Sequence, residues 1–248
     1  LHRYTSVFFD LGRTLVYRIV TQERTLRLLC SEVGAPLLPT PDWAGAVAIW
    51  RAYHSSHYLT CRNLAQENDL IFREAQLILN HLAPGFTEEV ADRLAMGLQA
   101  STRWWSLYDD VPPVLNQLKV AGRKTGIISN WEPSLEQFCL KMGLAHAVQV
   151  AVSSGVEGIE KPSPRIFQIA MERMEVEPEN CLFVGDDYRM DVVGSRAAGM
   201  TPVLLDRNDR YLETDCLKIR RIDELFDILR GEPVSHPTTP VCFASYSL

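Results

Sequence analysis

Four separated stretches carry residue types that could act on one electrophile. They are Asp10 at the end of the apolar run Val7-Phe8-Phe9, Ser129-Asn130 behind Ile127-Ile128, Lys161-Pro162, and Gly185-Asp186-Asp187 with Asp191 close behind. A carboxylate can attack phosphorus to give an aspartyl-phosphate, and carboxylates crowded into one crevice invite either a raised pKa or a hard cation such as Mg2+. On this reading Asp10, Asp186, Asp187 and Asp191 supply oxygen ligands, and Lys161 offsets the remaining charge. Ser129 and Asn130 either hold phosphoryl oxygens with a hydroxyl and backbone N–H groups or simply cap the following helix. Each stretch alone is ordinary, since Asp and Gly are common turn residues and Lys-Pro reads as a solvated turn. Their joint appearance at successive strand ends singles them out.

The element that must bring them together is a parallel sheet, whose strands all end on one rim. Apolar, strand-like runs around positions 7, 127, 148, 182 and 203 alternate with helical patterns over Val114 to Ala121, Ser134 to Met142, Pro164 to Met174, Met190 to Ala198 and Ile222 to Leu229. Cys216 to Ile219 is a marginal strand. The near-continuous apolarity of the strands fits burial on both faces. Between the first strand and the rest, Thr21 to Val33, Asp42 to Leu59, about Asn68 to Leu82 and Thr87 to about Trp104 read as helices, with no convincing alternating strand among them. The expected fold class is therefore α/β, a Rossmann-like parallel sheet core with an inserted α-helical cap. Residues 1–16 and 106–231 form the core, 17–105 the helical cap and 232–248 a loosely held tail.

Composition narrows the partners. The 248 residues include 25 basic and 31 acidic side chains, for a net charge of -6, with no dense Lys/Arg cluster. Nucleic acid and anionic membrane are thereby disfavoured as main partners. The expected partner is a small phosphorylated molecule, with the protein a monomer or weak dimer. The six cysteines show no metal spacing and read as small buried hydrophobes in a reducing compartment. No run approaches a membrane span and no leader precedes the first strand, so a cytoplasmic location is expected.

Taken together, FFDLGRT at 8–14, IISN at 127–130, KPSPRIF at 161–167 and VGDDYRMDVVGSRAAGM at 184–200 resemble the haloacid-dehalogenase superfamily of hydrolases, over about residues 6 to 230. The resemblance implies that Asp10 is the nucleophile and a Mg2+ ligand, that Thr14 braces its loop and that Ser129 binds phosphoryl oxygens. It implies too that Lys161 neutralises charge and that Asp186, Asp191 and Asp187 complete the metal site. The segment from about 17 to 105 corresponds in position to a C1-type cap that supplies substrate specificity. Phosphatases of the superfamily carry a second Asp, a general acid/base, two residues after the nucleophile. Here that residue is Gly12, followed by Arg13 where Gly is usual.

Gly12 keeps a backbone carbonyl for Mg2+ but cannot transfer a proton, and losing a general acid/base costs about 10²–10⁴-fold in rate. The expectation is weak or substrate-restricted hydrolysis of a small phosphate ester or acyl phosphate. The alternative is a catalytically degenerate member that binds a phosphoryl ligand or serves as a scaffold. Dehalogenase chemistry is disfavoured by the full acidic set, and a Schiff-base mechanism by the absence of any Lys from 17 to 105. Arg13 could bind phosphate or a substrate carboxylate, or else point into the cap interface or solvent; Asn130 is a further candidate substrate contact, and Trp131, directly behind it, either touches substrate or is structural. His54 and His57, three apart, lack a third metal ligand, and Trp43, Trp50, Tyr53 and Tyr58 read as cap core. Trp104-Trp105 reads as packing at the hinge.

Overall fold

The computed structural model describes residues 3–99 and 101–232. Six strands form one parallel sheet: β1 (Ser6–Phe9), β4 (Lys124–Ser129), β5 (Val150–Ser153), β6 (Cys181–Gly185), β7 (Thr201–Leu205) and β8 (Leu217–Ile219). Their order is β5-β4-β1-β6-β7-β8. Renumbered in chain order, the six read 3-2-1-4-5-6, the doubly wound arrangement whose ligand crevice opens where the order reverses. That reversal lies between β1 and β6, with Phe9 in register with Ile127 on one side and Val184 on the other. Asp10 and Asp186, each the first residue after its strand, flank the crevice.

Alternation along the strands builds two layers. Val7, Phe9, Ile127, Leu182 and Val184 pack with α5 (Val111–Val120), α6 (Leu135–Lys141) and α10 (Leu225–Arg230) on one face. Phe8, Ile128 and Phe183 pack with Phe167, Ala170 and Met171 of α8 (Pro164–Met174) on the other. Gly126 is a packing requirement, because a Cβ there would lie 2.7 Å from the Phe8 ring and 2.8 Å from Met174 Cε.

The chain leaves and re-enters this core through an antiparallel ribbon of β2 (Val16–Arg18) and β3 (Trp105–Leu107). Between its strands run α1 (Gln22–Glu32), α2 (Trp43–His57), α3 (Leu64–Leu82) and α4 (Glu88–Gln99), which bury Leu26, Leu29, Ile78, Leu79, Leu82 and Leu94 in a core of their own. Side chains start all four: Thr21 Oγ1 accepts the Arg24 N–H, Asp42 Oδ1 that of Gly45, Asn63 Oδ1 that of Gln66 and Thr87 Oγ1 that of Val90. Trp43 and Trp50 join this core, whereas Tyr53 and Tyr58 do not. Trp104 is buried in it and Trp105 packs against both it and the sheet core.

Several expected boundaries move. The Asn63 cap lets α3 start at Leu64, and Ser101–Trp104, expected at the end of α4, is a 3-10 turn. The ribbon corrects the expectation that the inserted stretch carries no strand. The expected helix from Met190 is a π-helix, Tyr188–Val193, running into α9 (Gly194–Ala197), with α7 (Ser154–Glu157) a further short turn. Cys30, Cys61, Cys139, Cys181 and Cys216 are buried and free. Cys242 and the tail beyond Glu232 lie outside the described residues. Among the described residues no helix is long and apolar enough to cross a membrane.

Candidate active site

Asp10, Asp186 and Asp191 converge at the crevice, each buried, with one oxygen of each lying within 4.8 Å of the others'. Among the described residues this is the one grouping of three or more His, Cys, Asp or Glu side chains with spacing suited to a metal ion. Lys161, buried between two of them, donates from Nζ to Asp10 Oδ1 at 2.6 Å and to Asp191 Oδ1 at 2.7 Å. Burial opposes its charge, but Asp10 and Asp191 outweigh burial and hold the ammonium above its ordinary pKa. Burial and then Asp10 push the Asp186 carboxyl upward. Asp191 is raised as well, by burial against the pull of Lys161. Its approach depends on Gly185, since a Cβ there would sit 2.3 Å from Asp191 Cγ.

The four expected stretches thus meet in space. Ser129, buried at the end of β4, places Oγ 3.5 Å from Asp10 Oδ1. Two side chains also have structural partners. Asp187 accepts the Met190 N–H at 2.8 Å and donates its own N–H to Asp191 Oδ2 at 2.9 Å, so it caps the π-helix and orients the Asp191 carboxylate while lying outside the three-carboxylate group. The Asn130 amide donates to the Lys161 carbonyl at 3.2 Å and accepts the Lys161 N–H at 2.8 Å. Asn130 thus braces the Lys161 backbone, with a second amide hydrogen and a second Oδ1 lone pair left for other partners. Thr14 is buried with its hydroxyl unpartnered; the loop is instead held through the Thr14 carbonyl, which accepts from Arg207 at 3.0 Å.

Position 12 is open: a Cβ at Gly12 would meet nothing within 4 Å. Arg13 has φ 61°, in the left-handed region that favours glycine. Its side chain turns back to the site and pairs from Nε to Asp186 Oδ2 at 3.0 Å, so it points neither into a cap interface nor merely to solvent. Arg210 donates to the same oxygen at 2.8 Å and to the Asp186 carbonyl at 2.7 Å. Nothing in the sequence around Arg210 marks it, because it lies in an irregular loop beyond β7.

These groups line a cavity of about 490 Å³ with Arg18, Trp105, Trp131 and Met190. Trp131 packs against Phe138 and Trp105, so it serves as a wall and a structural contact at once. A second cavity, of about 390 Å³ between the helices and the sheet, shares Arg18, Trp105, Asn130 and Trp131 with the first. Around it the helical segment is fastened to the core. Glu67 accepts the Ser134 N–H at 2.8 Å and its hydroxyl at 2.6 Å, Tyr58 donates to Glu160, and Arg62 donates to the Gly155 carbonyl at 2.9 Å. His54 bridges Glu74 and Glu132 at 2.9 Å each, while His57 stacks on Tyr53. Neither histidine belongs to a metal-spaced group.

A family model described as haloacid dehalogenase-like hydrolase matches residues 6–199. The chain belongs to the haloacid dehalogenase-like hydrolases. Among these it is 30% identical to phosphoserine phosphatase of Thermus thermophilus over 206 residues, 80% of each chain. It is 33% identical to glyceraldehyde 3-phosphate phosphatase of Methanopyrus kandleri over 137 residues, 50% of this chain and 56% of that one. Haloacid dehalogenase-like hydrolase domain-containing protein 3 of Mus musculus matches at 34% over 116 residues, 47% of this chain and 46% of the relative. The chain thus spans about half the length of the latter two. Two haloacid dehalogenase-like structures share its fold: a 2-haloacid dehalogenase from Pseudomonas syringae (TM-score 0.69, 22% identity, 92% of this chain and 99% of that one) and a phosphatase from Thermococcus onnurineus (0.60, 23%, 93% and 100%).

Proposed function

We propose that this hydrolase cleaves a small phosphate ester or acyl phosphate through an aspartyl-phosphate on Asp10, with Mg2+ as its cofactor. One observation carries the reading. Asp10 lines the cavity beside Ser129, its Oδ1 fixed by Lys161, whereas among the described residues no donor engages its Oδ2. That is how a carboxylate is held for attack. The relatives named as phosphatases support the same direction.

The donor set fits a hard divalent cation: Asp10, Asp186 and Asp191 are oxygen ligands, and Asp186 Oδ1 has no protein donor among the described residues. When bound, Mg2+ would offset charge on the phosphoryl oxygens. The protein's own part is as follows. Asp10 forms an O–P bond as the P–O bond to the leaving group breaks, with Ser129 and Lys161 stabilising the equatorial oxygens. Water then attacks phosphorus, the bond to Asp10 breaks and inorganic phosphate leaves. No side chain at position 12 protonates the departing oxygen, so acyl and aryl phosphates, which leave unprotonated, are the preferred substrates.

The test is turnover of acetyl phosphate and 4-nitrophenyl phosphate with Mg2+. Activity that Asp10→Asn removes is the expected result, and activity indifferent to that change would sink the assignment. A second reading, a phosphoryl-binding protein without turnover, draws on the two guanidinium groups already on Asp186. It predicts phosphate binding with no hydrolysis of either compound.

A further inference from the structure

The two cavities share a wall of Arg18, Trp105, Asn130 and Trp131. Arg18 borders both, so one side chain faces the space beside Asp10 and the space between helices and sheet. The charged groups there are unevenly matched. Glu67 is held by Ser134, Glu74 by Trp50 Nε1 and His54, and Glu132 by His54. In the catalytic cavity Lys161 and Arg13 are paired with aspartates. Arg18 and Arg51, which also border the second cavity, form no ion pair among the described residues.

Neutral acceptors hold both guanidinium groups in place. Arg18 donates from Nη2 to Thr25 Oγ1 at 2.9 Å and from Nε to the Val20 carbonyl at 3.4 Å, and lies over the Trp105 ring. Arg51 donates from Nε to Gln22. Burial, and then the charge of Arg51, pull Arg18 below its ordinary pKa, and the opposite charge of a bound anion would favour its charged form. Two ordered guanidinium forks without carboxylates are suited to a carboxylate or phosphate.

We propose that the leaving group of the substrate carries a second anionic group, a carboxylate or a phosphate, received by Arg18 and Arg51. The proposal rests on the phosphoryl-transfer reading above. It makes the pair a specificity determinant: compounds with one anionic group engage Asp10 alone, and those with two engage both cavities.

The test compares 4-nitrophenyl phosphate with its 3-carboxy and 3-phosphonomethyl derivatives. In parallel, calorimetry with Mg2+ compares benzylphosphonate with 4-carboxybenzylphosphonate and 4-(phosphonomethyl)benzylphosphonate, which cannot turn over. A native preference of about tenfold for a doubly anionic compound is expected in kcat/KM and in Kd. Which derivative wins distinguishes carboxylate from phosphate. The preference should fall toward one in Arg18→Met and in Arg51→Met, with Arg18→Lys keeping part of it. Arg51 is exposed, so its variant reads the subsite even if Arg18→Met misfolds. No native preference, or the same preference in both Met variants, overturns the proposal. Phosphonate discrimination without turnover of any ester upholds the subsite and overturns the phosphatase reading; turnover without discrimination does the reverse.

Discussion

A carboxylate restored at position 12 meets no steric obstacle, because a Cβ there touches nothing within 4 Å and the backbone is not left-handed. Gly12→Asp is therefore expected to raise turnover of alkyl phosphates, whose leaving oxygen needs a proton, by about 10²-fold or more, with a smaller gain on acetyl phosphate. Equal gains on both would show that protonation is not what native protein lacks. Arg13 invites the opposite change. Its left-handed backbone costs about 1–2 kcal/mol and its half of the Asp186 pair is 65% exposed, so Arg13→Gly should lose little stability and leave Asp186 freer for a cation. The expected readout is a larger Mg2+-induced rise in melting temperature than native protein shows; a smaller rise would mean that Arg13 helps to hold the ion. Asp10, Ser129, Lys161, Asp186 and Asp191 were legible in the sequence because each follows an apolar strand or its neighbouring loop, and parallel topology sends such residues to one rim. The bracing by Asn130 and the capping by Asp187 were not legible, since a capping or bracing side chain and a ligand have the same residue types. Arg210 left no signal, as irregular loops have no period from which direction can be read.

At the scale of elements, one carboxylate ties three segments together. Asp110, at the start of α5, is fully buried, receives both Nη groups of Arg207 behind β7 at 2.8 and 3.0 Å, and accepts the Ile222 N–H at 2.9 Å. Asp110→Ala leaves a mostly buried guanidinium and a buried backbone donor unpaired, and is expected to cost about 3–5 kcal/mol in chemical denaturation. A loss below about 1 kcal/mol would mean that the junction is wet in solution. The parallel strands and their helices could be read from sequence because runs of Val, Ile, Leu and Phe stopped by Gly are long enough to show their period. The β2–β3 ribbon could not, since each strand has three residues and its partner lies across the whole helical insertion. The π-helix was equally hidden: its Val192 N–H reaches back to the Asp187 carbonyl, and a single wide turn leaves no mark on apolar spacing.

Across the whole molecule, the helical segment and the sheet are joined by charge as well as by packing. His54 of α2 bridges Glu74 of α3 and Glu132 behind β4; burial opposes its protonation, but Glu132 and Glu74 prevail and lift it to about 10. A folded-state pKa above the unfolded one stabilises fully below the unfolded value near 6.5, and that gain fades as pH rises toward 10. With a third of the side chain exposed, native protein should lose about 1–2 kcal/mol more than His54→Gln over that window, measured by urea unfolding at each pH. Parallel curves for the two proteins would show that the bridge is not ionic. The same region has an optical consequence. Of the five tryptophans, Trp50, Trp104, Trp105 and Trp131 border the second cavity and only Trp43 does not. Intrinsic emission is thus weighted toward the space between the two layers, and a molecule entering it would announce itself by quenching or a colour shift without any added dye.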